Sequence, residues 1–165
     1  MSSIGLGERA DIGIILPRET SLAPDRNNPA RLDLLMETWR LGLSDAGISF
    51  VVLSALDGLG GQNSDRDAGM RKVRTVLVPL TELNEPYDHP LDIDPETATD
   101  IESAALYRKK IFLPVDPFAE ESPVRFLGAT LRGILKERTS PYRHVLDATD
   151  PVADIRRSIG HGQPN

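Results

Sequence analysis

The run DPETATDIESAALYRKKIFLPV (residues 94–115) decides how this chain folds, because it joins one helix to one strand with little between them. Asp94–Pro95 is a helix start. An Asp at the cap position accepts backbone N–H groups, and Pro is favoured at the first helical position. Residues 95–110 therefore read as a helix, and RKK (108–110) places cations at its end, where the helix dipole favours them. IFLPV (111–115) is a short apolar run of strand character.

Working outward, the same alternation recurs. DIGIILP (11–17) reads as a buried strand closed by Pro17, and RETSLAPDRNNP as a loop rich in turn formers. In ARLDLLMETWRLGLSDAG, Leu32, Leu35, Met36, Trp39 and Leu43 fall at helical spacing, and Gly47 supplies the stop. ISFVVLSAL (48–56) and VRTVLVPL (73–80) are further strands, with strand cores expected near 48–54 and 74–79. DGLGGQNSDRDAG (57–69) is Gly-rich but matches neither nucleotide-binding glycine pattern, and reads as a loop. TELNEPYDHPLDID reads as a long loop, residues 123–137 as an amphipathic helix, YRHVLDA (142–148) as a last short strand, and PVADIRRSI as a terminal helix before a frayed tail at about 160–165. Strands alternating with helices predict a single three-layer α/β domain spanning 1–165. Its sheet is expected to have four or five mostly parallel strands in the flavodoxin- or Rossmann-like manner. Ligands bind such sheets beyond the carboxyl ends of the strands. The loop after Pro17, the loop after Leu80 and the segment after Pro114 are the places to search.

Composition narrows the function classes. The 165 residues carry a net charge of −6 and no cysteine. No basic stripe is present to meet phosphates, so a nucleic-acid polymer is not an expected partner. Disulfides, thiolate metal sites and a cysteine nucleophile are excluded. His89, His144 and His161 lack ligand spacing, so no metal and no cofactor is expected. The start MSSIGLGERADIGIILP lacks a basic segment followed by a long apolar run, and no window approaches the roughly 18 apolar residues of a membrane span. A cytoplasmic protein is expected.

Within the helix after Asp94, Glu96 in the first turn complements the dipole, and Asp94 is accounted for by capping alone. Asp100 is less easily explained. Asp is a mediocre helix former, yet it sits in mid-helix with Ala104 and Tyr107 on its face. It is either an exposed acid paired one turn on or a group turned into a site. Glu102, two residues away, points ~200° around the helix from it.

The pattern Asp94, Thr97, Ala98, Asp100, Ile101, Ala104, Lys109 resembles the active-site helix of the nucleoside 2-deoxyribosyltransferases and their 2′-deoxynucleoside 5′-monophosphate N-glycosidase relatives. That family places an Asp, then "GTA" or similar, a carboxylate nucleophile six residues after the Asp, and finally "GK" leading into a strand. VRTVLVPLTEL, IFLPVDPF and RFLGATLRGI fall where the family has its third strand, its following strand and its next helix, so the similarity covers roughly residues 73–134. Asp100 stands where the family usually has Glu, one methylene shorter. The resemblance implies cleavage of the base–sugar bond of a (deoxy)nucleoside or nucleotide. It implies Asp100 as nucleophile, with Asp94 or Glu82 contacting the base or passing the proton. Pro17, Arg18, Thr97 and Gly128 would then contact the substrate, and Arg125 and Arg132, seven apart on one face of the helix read at 123–137, could reach a phosphate. It also implies a homodimer or higher assembly, built through the helix at 123–137.

The chemistry asks for such groups. The retaining route needs one carboxylate at the anomeric carbon and a proton donor for the leaving base, around an oxocarbenium-like transition state. Two other readings stand beside it. One is a non-catalytic flavodoxin-like or glutamine-amidotransferase-like module, for which Asp100 would face solvent. The other is a TIR-like NAD-hydrolysing domain, for which Glu102 would face the pocket.

Overall fold

The computed structural model describes residues 10–16, 29–53, 69–80, 83, 91–92, 95–120, 124–126, 132–133, 135–136, 140–147 and 149–161. Its elements in chain order are β1 (Ala10–Ile14), α1 (Pro29–Asp45), β2 (Phe50–Val52), β3 (Val73–Leu77), β4 (Leu91–Asp92), α2 (Pro95–Leu106), β5 (Lys110–Leu113), β6 (Val124–Phe126), β7 (Arg143–Val145) and α3 (Pro151–His161). Five strands form one sheet in the order β2-β1-β3-β5-β7, and every pairing is parallel. Counting only these strands, the order is the 2-1-3-4-5 of the flavodoxin-like sheets. The α/β class and the parallel sheet expected from the strand–helix alternation are what the chain adopts.

Side-chain alternation along the strands builds two apolar layers. On β5, Phe112 faces one way, into a cluster with Ile12, Ile14, Phe50 and Leu77 of the sheet, Trp39 and Leu43 of α1, and Ile155 of α3. Ile111 and Leu113 face the other way, into a cluster with Val73, Val76 and Val78 and with Ile101, Ala104 and Ala105 of α2. The sheet is thus sandwiched between α1 and α3 on one side and α2 on the other. At Gly13 the packing leaves no room for a side chain, since a β-carbon there would lie 2.6 Å from Leu53 Cδ1 and 3.1 Å from Val73 Cγ2.

Both long helices before the last strand pair end in the same way. Gly47, at φ +74°, donates to the Ser44 carbonyl while Ile48 donates to the Leu43 carbonyl, each at 3.0 Å. This pair of bonds satisfies two of the last carbonyls of α1, and Ile48 packs with Leu43 in the core. At the end of α2, Arg108 takes the glycine's role at φ 59°, donating to Ala105 at 2.9 Å, with Lys109 donating to Ala104 at 2.9 Å.

Two expectations are corrected. Residues 124–126 are not helical: they form β6, which pairs in parallel with β4 as a separate two-stranded sheet. Val124 and Phe126 are strand formers. Of the expected helix over 123–137, residues 132–133 and 135 are helical, Lys136 is a turn residue at φ 45°, and the other positions outside β6 lie beyond the described residues. β4 occupies a stretch that reads as loop, because two residues are too few to show a period.

Candidate functional site

The topology fixes where α2 begins. β3 and β5 are parallel neighbours, so the chain leaving the carboxyl end of β3 must return to the amino end of β5. α2 makes the return and runs antiparallel to the strands, which sets its amino-terminal turns at the carboxyl-end side of the sheet. β1 lies between β2 and β3, so the chain changes direction across β1, and this is the switch point at which such sheets form crevices. Ile15 beyond β1 and Val78 and Leu80 beyond β3 are fully buried there and cluster with Ile101 of α2. The strands stay hydrogen-bonded past their ends, through Ile15 N–H to the Leu77 carbonyl at 2.9 Å and Val78 N–H to the Phe112 carbonyl at 3.1 Å.

Asp100 is 2% exposed in this setting, and Thr97, one turn earlier, is 0% exposed. They lie on the α2 face that carries Ile101 and Ala104, turned toward the sheet. Asp100 is therefore not a solvent-facing acid, and the reading of it as surface decoration fails. Its Oδ2 is enclosed and accepts no hydrogen bond, although the residue does take part in other polar interactions. Ala104 is buried in the cluster against the sheet. Its small size serves the close approach of α2 to the strands, not the approach of a ligand. Glu102 is partly exposed, as the ~200° rotation between positions 100 and 102 requires.

The remaining sequence-predicted residues divide plainly. Asp94, Glu82, Pro17, Arg18 and Gly128 lie outside the described residues. Arg125 is in β6, not on a helix, so it does not share a helix face with Arg132. Its strand pairs with β4, a few residues before α2 in the chain. Lys109 follows the left-handed Arg108, and partial burial pushes its ammonium pKa below the usual lysine value by desolvation. Position 108 is where the resembling family carries the Gly of its "GK", and the positive φ there is the conformation a Gly adopts without strain.

Sequence reasoning missed a second polar cluster at the outer side of the sheet. Arg143 on β7 has a side chain 1% exposed, held 3.4 Å from Asp116 Oδ1 with its guanidinium 4.8 Å from the Phe118 ring centre. Asp116 Oδ1 also accepts the Phe118 N–H at 3.0 Å, closing a tight turn after β5. Asp116, Ala119, Arg143, His144 and Val145 line a cleft of about 450 Å³. His144 is tied to α3 by a contact of 3.3 Å from Nε2 to Asp154 Oδ2 and meets the Phe112 ring edge-on. The Asp-Pro turn at 116–117 was the available signal; the partnership with Arg143, 27 residues on, was not.

Among the described residues no group of three or more His, Cys, Asp or Glu side chains is placed to hold a metal ion, and no helix is long and apolar enough to cross a membrane. In comparisons with known proteins, no family model and no curated sequence matches this chain.

Proposed function

We propose that this chain is an N-glycosidase or deoxyribosyltransferase-like enzyme. It would cleave the base–sugar bond of a (deoxy)nucleoside or nucleotide, with Asp100 as the carboxylate nucleophile. The observation that carries the reading is the burial of Asp100 on the sheet-facing side of α2, near the carboxyl ends of the strands. An Asp has little reason to be there for helix stability, and burying a carboxylate is costly unless surroundings or function compensate. The parallel sheet in 2-1-3-4-5 order supports the reading, as does the spacing of Asp94, Thr97, Ala98, Asp100 and Lys109.

In this mechanism Asp100 attacks the anomeric carbon as the bond to the base breaks. Asp94 or Glu82 supplies the proton to the departing nitrogen, and water or a second base then releases the sugar. Before attack, the same carboxylate stabilises the developing positive charge on the sugar. A TIR-like reading is disfavoured because Glu102 lies ~200° around α2 from the sheet-facing Asp100. The enzyme is expected to be cytoplasmic and to assemble as a homo-oligomer, which light scattering at high concentration tests.

The deciding experiment is incubation with a panel of nucleosides and nucleotides, followed by detection of free base. Release by the wild type and loss in Asp100→Asn support the assignment. Equal release by both removes Asp100 as nucleophile, and no release from any substrate favours the non-catalytic module.

A further inference from the structure

Two chain segments that meet at the amino end of the sheet carry cations and no acid. Residues 68–80 hold Arg71, Lys72 and Arg74, and residues 103–115 hold Arg108, Lys109 and Lys110. Thr75 of β3 stands opposite Lys110 of β5, so Arg74 and Lys109, each one position earlier, are neighbours across the strands. The Arg71 guanidinium lies 5.5 Å from the centre of the Tyr107 ring, which joins the helical turn at 69–72 to the end of α2. Lys110 is engaged by Ser158. Among the described residues, none of Arg71, Arg74, Arg108 and Lys109 forms an ion pair. Asp11, opposite Arg74 on β1, and Glu102, one turn back along α2, border the cluster without pairing with those four.

The same face carries a protruding apolar side chain. Leu106 is 81% exposed, the most exposed large apolar residue among those described. It ends α2, followed by the partly exposed Tyr107 and the exposed Arg108. This combination selects the partner. Nucleic-acid phosphates would use the cations but gain nothing from a leucine standing out into water. An apolar peptide anchor would need a groove, and the cleft described above lies elsewhere, at β7. An anionic bilayer answers both features: its headgroups meet the cations, and its acyl boundary takes the leucine and the amphipathic tyrosine ring.

We propose that the amino-end face of the sheet, formed by Arg71, Arg74, Leu106, Tyr107, Arg108 and Lys109, is a docking surface for an anionic phospholipid bilayer. Contact of this kind needs no spanning helix. Each cation brought to such a surface raises partition roughly fivefold, and the attraction fades within a Debye length. The face lies at the end of the sheet opposite to the amino-terminal turns of α2, so the proposal does not rest on the glycosidase reading.

The test is co-sedimentation with vesicles of phosphatidylserine mixed with phosphatidylcholine, against pure phosphatidylcholine. Wild type should bind the mixed vesicles, leave the pure ones in the supernatant, and be released in roughly 1 M salt, where screening acts within ~3 Å. Arg71→Glu/Arg108→Glu should abolish binding, and Leu106→Gln should weaken it roughly tenfold by removing the inserted apolar group. The charge-matched control is Arg40→Glu/Arg156→Glu, at exposed positions on α1 and α3 across the sheet, and it should bind nearly as wild type does. All substituted side chains are exposed, and unchanged urea midpoints check that the variants fold. No binding by wild type, or equal binding to both kinds of vesicle, overturns the proposal. Equal losses in the two charge-reversed variants make binding an effect of net charge and overturn the surface. Binding that is indifferent to Leu106→Gln overturns the bilayer in favour of a polyanion without an apolar layer.

Discussion

Arg108 carries a conformational cost that can be measured. A non-glycine residue in the left-handed region loses roughly 1–2 kcal/mol relative to a right-handed conformation, and glycine escapes most of that. Arg108 is exposed and held at φ 59° by the two bonds that end α2. Arg108→Gly should therefore stabilise the fold by about 1 kcal/mol, seen as a higher urea midpoint at unchanged slope. Gly13 is the opposite case, because its constraint is space. A methyl there collides with Leu53, so Gly13→Ala should lower the midpoint by the equivalent of about 1–3 kcal/mol. Asp147 links stability to pH. Its carboxylate accepts from the Thr149 hydroxyl at 2.7 Å and from the Thr149 N–H at 2.8 Å. These bonds, the hydroxyl's first, hold its pKa below the ordinary value of 3.8, with a smaller attraction from Arg157. A lowered folded pKa means the folded state releases this proton more readily than the unfolded chain. The contribution is thus complete above the unfolded value and disappears as pH falls from about 4 through the lowered folded value. Comparing unfolding midpoints of wild type and Asp147→Asn between pH 7 and 2.5 should show their difference shrinking across that window.

At the scale of elements, α3 shows what the sequence pattern Asp-Pro does. Asp150 Oδ1 accepts the Ala153 N–H at 3.1 Å, and Pro151 occupies the first helical position. Asp150→Ala should cost about 1 kcal/mol of stability, measurable in the same unfolding assay. The helix is pinned to the sheet by Lys110 Nζ donating to Ser158 Oγ at 2.7 Å and by the contact of His144 with Asp154. Ile155 supplies the buried face of the helix. α1 ends at a glycine and α2 at an arginine in the same backbone conformation, which is why the first boundary was readable and the second was not. The stop after Asp45 is announced by Gly47. Nothing in YRKK announces a stop at Leu106, and residues 107–110, read as helix, are the turn and the start of β5. β6 failed as a helix expectation for a related reason. Phe126, Leu127, Thr130, Leu131 and Ile134 have helical spacing, but spacing does not register that VRF can pair with another strand.

The whole molecule rests on Phe112 and its neighbours. Phe112 is fully buried on the central-to-outer strand β5, in the cluster that joins α1, α3 and the sheet. Phe112→Ala should cost about 3–5 kcal/mol, enough to unfold a marginal domain, and loss of the cooperative thermal transition is the measurement. Asp100→Asn should leave that transition in place, because the change is nearly isosteric, while abolishing any base release.

What the sequence determined by itself is local and periodic. Alternating apolar runs and helical stripes specify a parallel α/β sheet, since those patterns follow from which side chains leave water at each strand and helix. Trp39 as core, Gly47 as a helix stop and Pro151 as a helix start were readable on the same grounds. The fate of Asp100 was not. An acid at that spacing reads equally as surface or site, and only the packing of α2 against one face of the sheet turned it inward and enclosed it. The Asp116–Arg143 pair and the β4–β6 pairing were likewise decided by tertiary structure, because each joins segments far apart in the chain. Local propensity is fixed by neighbours a few residues away, whereas a buried charge or a short strand depends on partners that folding alone brings within reach.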